Sequence, residues 1–358
     1  MRRLLLTLLA FVLLCSGANA INSKWLPEIV SVPQSPLYWN FVKAQALPPW
    51  ITLVRTSAAT NGQYTDAPAA AFTSFVSGAP VTSPTLGLGI FYASSNNLLN
   101  SNAPVTQTTG SLALGYFVAF GNGTGTITIT PGTAVLAAPC ATTCAITTLQ
   151  GNFQVIQVTT AGTVTVTVSG SVNWFDLQGC NIAATTCTPS PHIVTTGATA
   201  ARNSDSYAFG SQFTSQFFGN HPTSFVFEAQ EMTYSVNNYM MNGLTTPYIN
   251  ISTNVLAIRL LISTGTPTLT MANITLGALF RVCGQSIPGG YIAFDTPASS
   301  PVFSTSPAAA SNPSLYLGEQ AAGGAGSWGG WISQMAFYPR ALGAAGLQSR
   351  CQLGVPLP

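Results

Sequence analysis

Acid–base catalysis, metal binding and nucleophilic attack draw on Asp, Glu, His and Cys, and this chain uses all four sparingly. It carries eight acids and two histidines in 358 residues, and only 5% of its residues are charged. The acids are Glu28, Asp66, Asp176, Asp205, Glu228, Glu231, Asp295 and Glu319. A glycosidase of a lectin-like class needs two carboxylates roughly 5–9 Å apart. The nearest candidates, Glu228 and Glu231 in FEAQEMTY, lie three residues apart on an expected strand. That spacing turns them to opposite faces, so they do not pair as acid and nucleophile. His192, in PSPHIV, and His221, in GNHPTS, both read as loop or turn residues. A Ser-His-Asp arrangement remains open, because triads assemble in space rather than along the sequence. No GxSxG elbow is present, however, and no spacing matches a zinc site or an EF-hand. The glycine-rich GNGTGT, Gly121 to Thr126, lacks the lysine of a phosphate loop and reads as a hairpin turn. The expectation is a protein with no catalytic residues, no metal and no cofactor.

What remains is recognition by shape and by aromatic rings. Flat rings suit the apolar faces of sugars, while Asn, Ser, Thr and backbone groups satisfy hydroxyls. Trp174 and Tyr291 are expected on strands. Trp328, in GAGSWGG, is expected to be exposed by a glycine-rich turn, which makes it the leading candidate contact.

The first twenty residues read as a cleaved export signal. Arg2 and Arg3 make a basic head, Leu4 to Leu14 an apolar run, and Ala18-Asn19-Ala20 a small-x-small cleavage site. The run is shorter than the roughly 20 apolar residues that span a bilayer. The chain has ten Lys plus Arg, so losing two of them leaves eight basic against eight acidic residues. A formal charge of zero argues against nucleic acid and against a polybasic membrane anchor as partners. It also removes colloidal repulsion, which permits homo-oligomerisation. A β-barrel in an outer membrane is disfavoured by the proline-containing ending GVPLP.

Cys15 falls inside the signal, which leaves Cys140, Cys144, Cys180, Cys187, Cys283 and Cys351. An even number in an exported chain reads as disulfides rather than a zinc site. Six cysteines allow 15 pairings; proximity favours Cys140–Cys144, Cys180–Cys187 and, by remainder, Cys283–Cys351.

The elements that must carry these residues are strands. Period-two runs recur between Gly, Pro, Asn and Ser, as in TGTITIT, FQVIQVTT and TVTVTV, where Val164, Val166 and Val168 share a face. Leu276, Ala278, Phe280 and Val282 share another. Many short strands at near-regular spacing mean an all-β fold of sandwiches, and the length exceeds one ordinary sandwich. The seam is expected at TTGATAARNSDSYAFG, Thr195 to Gly210, with a Pro/Trp arm over residues 21–50 carrying Trp25, Trp39 and Trp50. Residues 295–314 read as a surface excursion. At the end of the chain, WISQMAFYPRALGAAGLQSRC reads as a strand with Trp331, Met335 and Phe337 facing the core. Pro339 stops it, a short helix covers the sandwich edge, and Cys351 tethers that helix to Cys283.

Three stretches in order, ITLVRTSAATNGQYTDA (51–67), LGLGIFYASSNNLLNS (86–101) and IVTTGATAARNSD (193–205), resemble the carbohydrate-binding-like jelly roll of phage tail-fibre and head-spike proteins. The residues that carry the resemblance are Arg55, Asn96, Leu98, Leu99, Asn100, Ser101, Gly197, Ala198, Arg202 and Asp205. SLYLGEQ (314–320) and GGWISQMAFYPRAL (329–342) are similar to the last strands of a laminin-G-like, concanavalin A-like lectin/glucanase sandwich. The usual Glu-x-Ala-Arg of the first group is FYAS here, with Phe91 and Ser94 in place of the charges. The resemblance implies a jelly roll over 51–205 and a laminin-G-like domain over 206–358. Together with the export signal, it implies a secreted, periplasmic or cell-surface glycan-binding, adhesin-like protein. The alternatives are a structural fibre or spike subunit and a glycan hydrolase of the lectin/glucanase fold.

Overall fold

The computed structural model describes residues 36–44, 46–54, 62–64, 73–75, 79–149, 152–180, 187–218, 222–233, 238–243, 249–254, 257–262, 269–273, 275, 277–287, 290–294, 302–304, 315–318 and 328–358. The expected signal, Trp25, Glu28, Arg55, Asp66, His221, Leu276, Asp295 and Glu319 lie outside them, as does most of the 295–314 excursion.

The protein is all-β, built as two sandwiches. In the larger one an eight-stranded sheet faces a seven-stranded sheet. The eight-stranded sheet runs Val302–Ser304, Gly290–Phe294, Leu279–Ile287, Thr223–Thr233, Gly329–Tyr338, Gly87–Ile90, Val81–Ser83, and Leu37–Asn40 also pairs with Gly329–Tyr338. The facing sheet includes Ile51–Leu53, Tyr207–Phe209 and Leu315–Leu317 as neighbours. Between them lies an aromatic core that includes Phe209, Phe225, Phe227, Phe280, Phe337, Met335 and Trp328. Trp50 stacks on Phe213 at 4.4 Å, so the described end of the expected arm, residues 36–44 and 46–50, packs into this core.

The smaller sandwich pairs a six-stranded sheet, whose centre is Gly115–Gly123 between Phe153–Thr160 and Val172–Cys180, with a four-stranded sheet built on Thr126–Pro131 and Val164–Ser169. Its core is mostly aliphatic: Ile127, Ile129, Ile156, Val158, Val164, Val166 and Leu177, closed by Phe117 and Phe175. The alternation of Val164, Val166 and Val168 does bury one face, as period two requires.

The strand pairing divides the chain differently from a linear split at 205/206. Strands from residues 37–53 and 81–90 pair with strands from 207–338, so both ends of the chain build the larger sandwich. The smaller sandwich, from Ser94–Asn96 to Ala200–Arg202, is inserted between them. The strands Ile51–Leu53, Val81–Ser83 and Gly87–Ile90 therefore pair outside the jelly-roll-like unit. They are only three or four residues long, and so short a segment carries no mark of which distant sheet it will join.

The corner GNGTGT also differs from expectation. Gly115–Gly123 and Thr126–Pro131 lie in different sheets, so the glycines make a crossing between layers rather than a hairpin. Gly123 has φ +141°, and a Cβ at Gly125 would stand 2.4 Å from the carbonyl of Ser169. The backbones approach too closely there for any other residue.

The last strand holds a β-bulge. Glu228 pairs with Gln334 and Ala229 with Ile332, which leaves Ser333 unpaired between them. The extra residue reverses the phase of the pleat, so Ile332, Met335 and Phe337 share the core while Trp331 does not. Trp331 packs instead in a separate cluster with Val81 and Phe91. The remainder of the ending is as expected. The strand stops at Tyr338, the helix Gly343–Cys351 lies over it, and Cys351 is bonded to Cys283. Cys140–Cys144 and Cys180–Cys187 are the other two disulfides.

Candidate functional site

Four described carboxylates are buried, and Asp176, Asp205 and Glu228 each sit in a network of polar partners. On Val172–Cys180, Phe175 and Leu177 face the core, so Trp174, Asp176 and Gln178 face outward. Segment 187–195 crosses over them as a strap. Asp176 accepts from His192 Nδ1 (2.7 Å), Asn96 Nδ2 (2.7 Å), Gln178 Nε2 (2.8 Å) and the backbone N–H of Ile193 (2.8 Å). Trp174 stacks on the His192 ring at 4.4 Å. An Asp-oriented imidazole is a general-base arrangement in other contexts. Here His192 is 5% exposed and Asp176 fully covered, so the pair anchors the strap. Sequence reasoning missed the association, because the partners are 16 residues apart along the chain.

The second network forms the neck between the sandwiches. Phe91 N–H donates to Asp205 Oδ2 (3.1 Å), and Asp205 N–H donates to the Phe91 carbonyl (2.8 Å). Arg202 pairs with Asp205 at 2.5 Å, donates to the Tyr92 carbonyl (3.2 Å) and lies 5.5 Å over the Phe91 ring. Tyr92 donates its hydroxyl to the Thr188 carbonyl (2.6 Å), and burial pushes its phenol above the usual range, with Arg202 pulling the other way. Several residues that carried the family resemblance thus have structural work. Asn96 and Ser101 hold the strap, Gly197 takes φ +78°, and Arg202 and Asp205 close the neck.

The third network joins Glu228 to Arg281 (2.7 Å), Ser333 (2.7 Å) and Gln334 (3.0 Å). Arg281 also donates to the carbonyls of Arg350 and Gln352, which caps the C-terminal helix. Glu231 falls on the Phe227/Ala229 side of its strand, opposite Glu228, as the three-residue spacing required. Among the described residues no group of three His, Cys, Asp or Glu is placed to hold a metal.

Two of the three aromatic candidates are not at a surface. Trp328, expected to be exposed, is 0% exposed in the larger core, because the segment after it enters the sheet centre at Gly329. Trp174 is 2% exposed beneath His192. Tyr291 lies on Gly290–Phe294, and its side chain is outside the described residues.

An open-sided groove of about 510 Å³ lies at one end of the inserted sandwich, next to the neck. Strand register explains it. Phe117, Gly179, Ser95 and Ala201 stand side by side across four strands. Three small residues beside one ring leave a trough on that face. A Cβ at Gly179 would meet Ser95 Oγ at 3.4 Å, Phe117 at 3.6 Å and Asn97 Nδ2 at 3.7 Å, which places those three side chains around the floor. Ser111, Ala113 and Leu114 form a wall, and Asn203 closes the neck end. Leu114 is 66% exposed at the rim. Among the described residues the hydroxyls of Ser95 and Ser111 make no hydrogen bond. Asn97 spends its Nδ2 on the carbonyls of Ser95 and Leu177 and keeps its Oδ1 free. Tyr116 reaches the lining at the strand end, with its ring packed toward Val118 and Phe120 on the other face. Sequence reading could not find this site, since its residues are ordinary Ser, Asn, Ala and Gly.

No protein-family model and no curated protein matches the chain. Solved structures are similar to parts of this chain. One is the sialidase carbohydrate-binding module (CBM40) of Ruminococcus gnavus bound to α2,3-sialyllactose, at 13% identity and TM-score 0.33 over 38% of this chain and 84% of that one. Another is the SAP-like pentraxin of Limulus polyphemus, at 13% identity and TM-score 0.30 over 38% and 73%. A third is domain 4 of the arabinanase AbnA of Geobacillus stearothermophilus with arabinotriose, at 14% identity and TM-score 0.33 over 49% and 82%.

Proposed function

We propose that this chain is a non-catalytic glycan-binding protein displayed outside the cell, with the groove beside Ser95, Asn97 and Gly179 as its recognition surface. The observation that carries this reading is the groove's chemistry: the hydroxyls of Ser95 and Ser111 and the Oδ1 of Asn97, all uncommitted, over a floor of glycine, alanine and a phenylalanine edge. Sugars present that mixture in reverse, with hydroxyls around an apolar ring face. The three disulfides fit an oxidising compartment, and no described helix is long and apolar enough to cross a membrane. The likeness of residues 51–67, 86–101 and 193–205 to phage fibre modules supports an adhesin-like deployment. Non-catalytic action is favoured by the fate of Asp176, Asp205 and Glu228, each committed to a buried network away from the groove floor.

A glycan array with the purified native protein tests the reading. Binding to a defined set of oligosaccharides is expected, reduced at least tenfold by Ser95→Tyr, which fills the trough. No signal on any glycan, or binding indifferent to Ser95→Tyr in a folded variant, would overturn it. Ordered oligomers or particle association in electron micrographs, without glycan binding, would favour the fibre or spike subunit instead.

A further inference from the structure

The groove has an electrostatic character that its lining alone would misrepresent. Among the described residues Arg202 is its one charged lining residue, and an arginine in a groove usually signals a carboxylate or sulfate ligand. The register says otherwise. Ala201 stands in the same row as Ser95, on the groove face, so the next residue, Arg202, points to the opposite face. There its guanidinium is held by Asp205 at 2.5 Å, donates to the Tyr92 carbonyl and covers the Phe91 ring. Its side chain is 3% exposed. Turning it toward a ligand would strip the neck of its ion pair and leave Asp205, which is 0% exposed, buried without its counter-charge.

The groups that do face the groove are uncharged: the hydroxyls of Ser95 and Ser111, the amide of Asn97, the methyls of Ala93, Ala113 and Ala201, and the Leu114 side chain. An anionic sugar entering it would lose water from its charge and gain no counter-ion. A neutral sugar loses only hydroxyl hydration, which the serine hydroxyls replace by donating and accepting and Asn97 replaces by accepting at Oδ1.

We propose that the groove selects uncharged, hydroxyl-rich oligosaccharides and discriminates against glycans that carry a carboxylate or sulfate. This rests on the glycan-binding reading and deepens it. The experiment is a matched array: neutral oligosaccharides beside counterparts that differ only by a terminal sialic acid, a uronic acid or an O-sulfate. Each hit is then titrated by calorimetry at 50 mM and 500 mM NaCl. The expected result is binding confined to the neutral members, at least tenfold tighter than to their acidic counterparts. Their Kd should change less than twofold with salt, because no free charge takes part. An acidic counterpart that binds as tightly as its neutral partner, or a Kd that rises several-fold with salt, would overturn the selectivity while leaving glycan binding intact. Silence across both classes would instead overturn the glycan-binding reading itself, and this proposal with it.

Discussion

The two sandwiches close in different ways. The inserted one is made from a continuous stretch, and its core is mainly Ile, Val and Leu. The larger one must bring residues 37–53 and 81–90 onto strands near residues 207 and 330, and its core is rich in Phe, Trp and Met. Contiguous strands pay little loop-closure entropy before they pair, whereas the outer strands pay much more. The outer sandwich accordingly carries the long-range fastenings. These are Cys283–Cys351, 68 residues apart, and the Glu228–Arg281 pair that caps the final helix. The inserted sandwich has short disulfides and a hydrogen-bonded strap. Insertion into a fold thus costs the host more than the guest, and the neck is where the two meet.

Four experiments separate the two units. The largest effect is expected from Asp176→Ala. It takes the acceptor from His192 Nδ1 and the Ile193 N–H, and one acceptor each from Asn96 and Gln178, which keep others, at roughly 1–3 kcal/mol for each buried donor left unpaired. That is enough to unfold the inserted sandwich, while near-ultraviolet dichroism of the larger core should persist. If denaturant melts both units together, the units are not independent. Next is Asp205→Ala, which leaves Arg202 buried without its carboxylate and should cost about 3–5 kcal/mol. Because both connections pass the neck, chemical denaturation should shift both transitions; a shift in only one would mean the neck belongs to that unit alone.

Replacing Cys283 and Cys351 with serine should cost the larger sandwich about 4 kcal/mol on the chain-entropy model. The midpoint of the inserted unit should stay in place, and an equal loss there would contradict the division drawn above. The smallest effect concerns Tyr92. Its folded-state phenol titrates above the unfolded value of about 10. Its contribution is therefore complete below about pH 10 and is lost as pH rises beyond that. Tyr92→Phe should lower stability by about 1 kcal/mol at neutral pH and flatten the alkaline decline. An unchanged decline would assign it to other groups.

Some of this was legible in the residues and some was not. Val164, Val166 and Val168 declared their burial, since side-chain alternation is a local rule. Glu228 and Glu231 were separated by the same rule. Trp331 was misplaced because a single unpaired residue, Ser333, reverses the phase, and a bulge leaves no mark in composition. Trp328 looked exposed because glycines flank it, yet they serve close packing: a Cβ on Gly330 would stand 2.7 Å from its ring. Nothing in Ser95, Gly179 or Ala201 announced a groove, for it exists only where their strands lie side by side.

By itself the sequence determined an all-β chain of sandwiches, near-neutral outside its basic head, with cysteines spaced to pair and a cysteine-tethered helix at the end. Those properties depend on neighbours within a few residues, or on cysteines few enough for proximity to sort. The nesting of one sandwich in the other, the meeting of Asp176 with His192, the rotation of Arg202 away from the groove and the groove itself were decided by tertiary structure. The physical reason is that backbone hydrogen bonds are chemically alike between any two strands. Which strands pair, and in what register, is settled only when the whole core is packed at once.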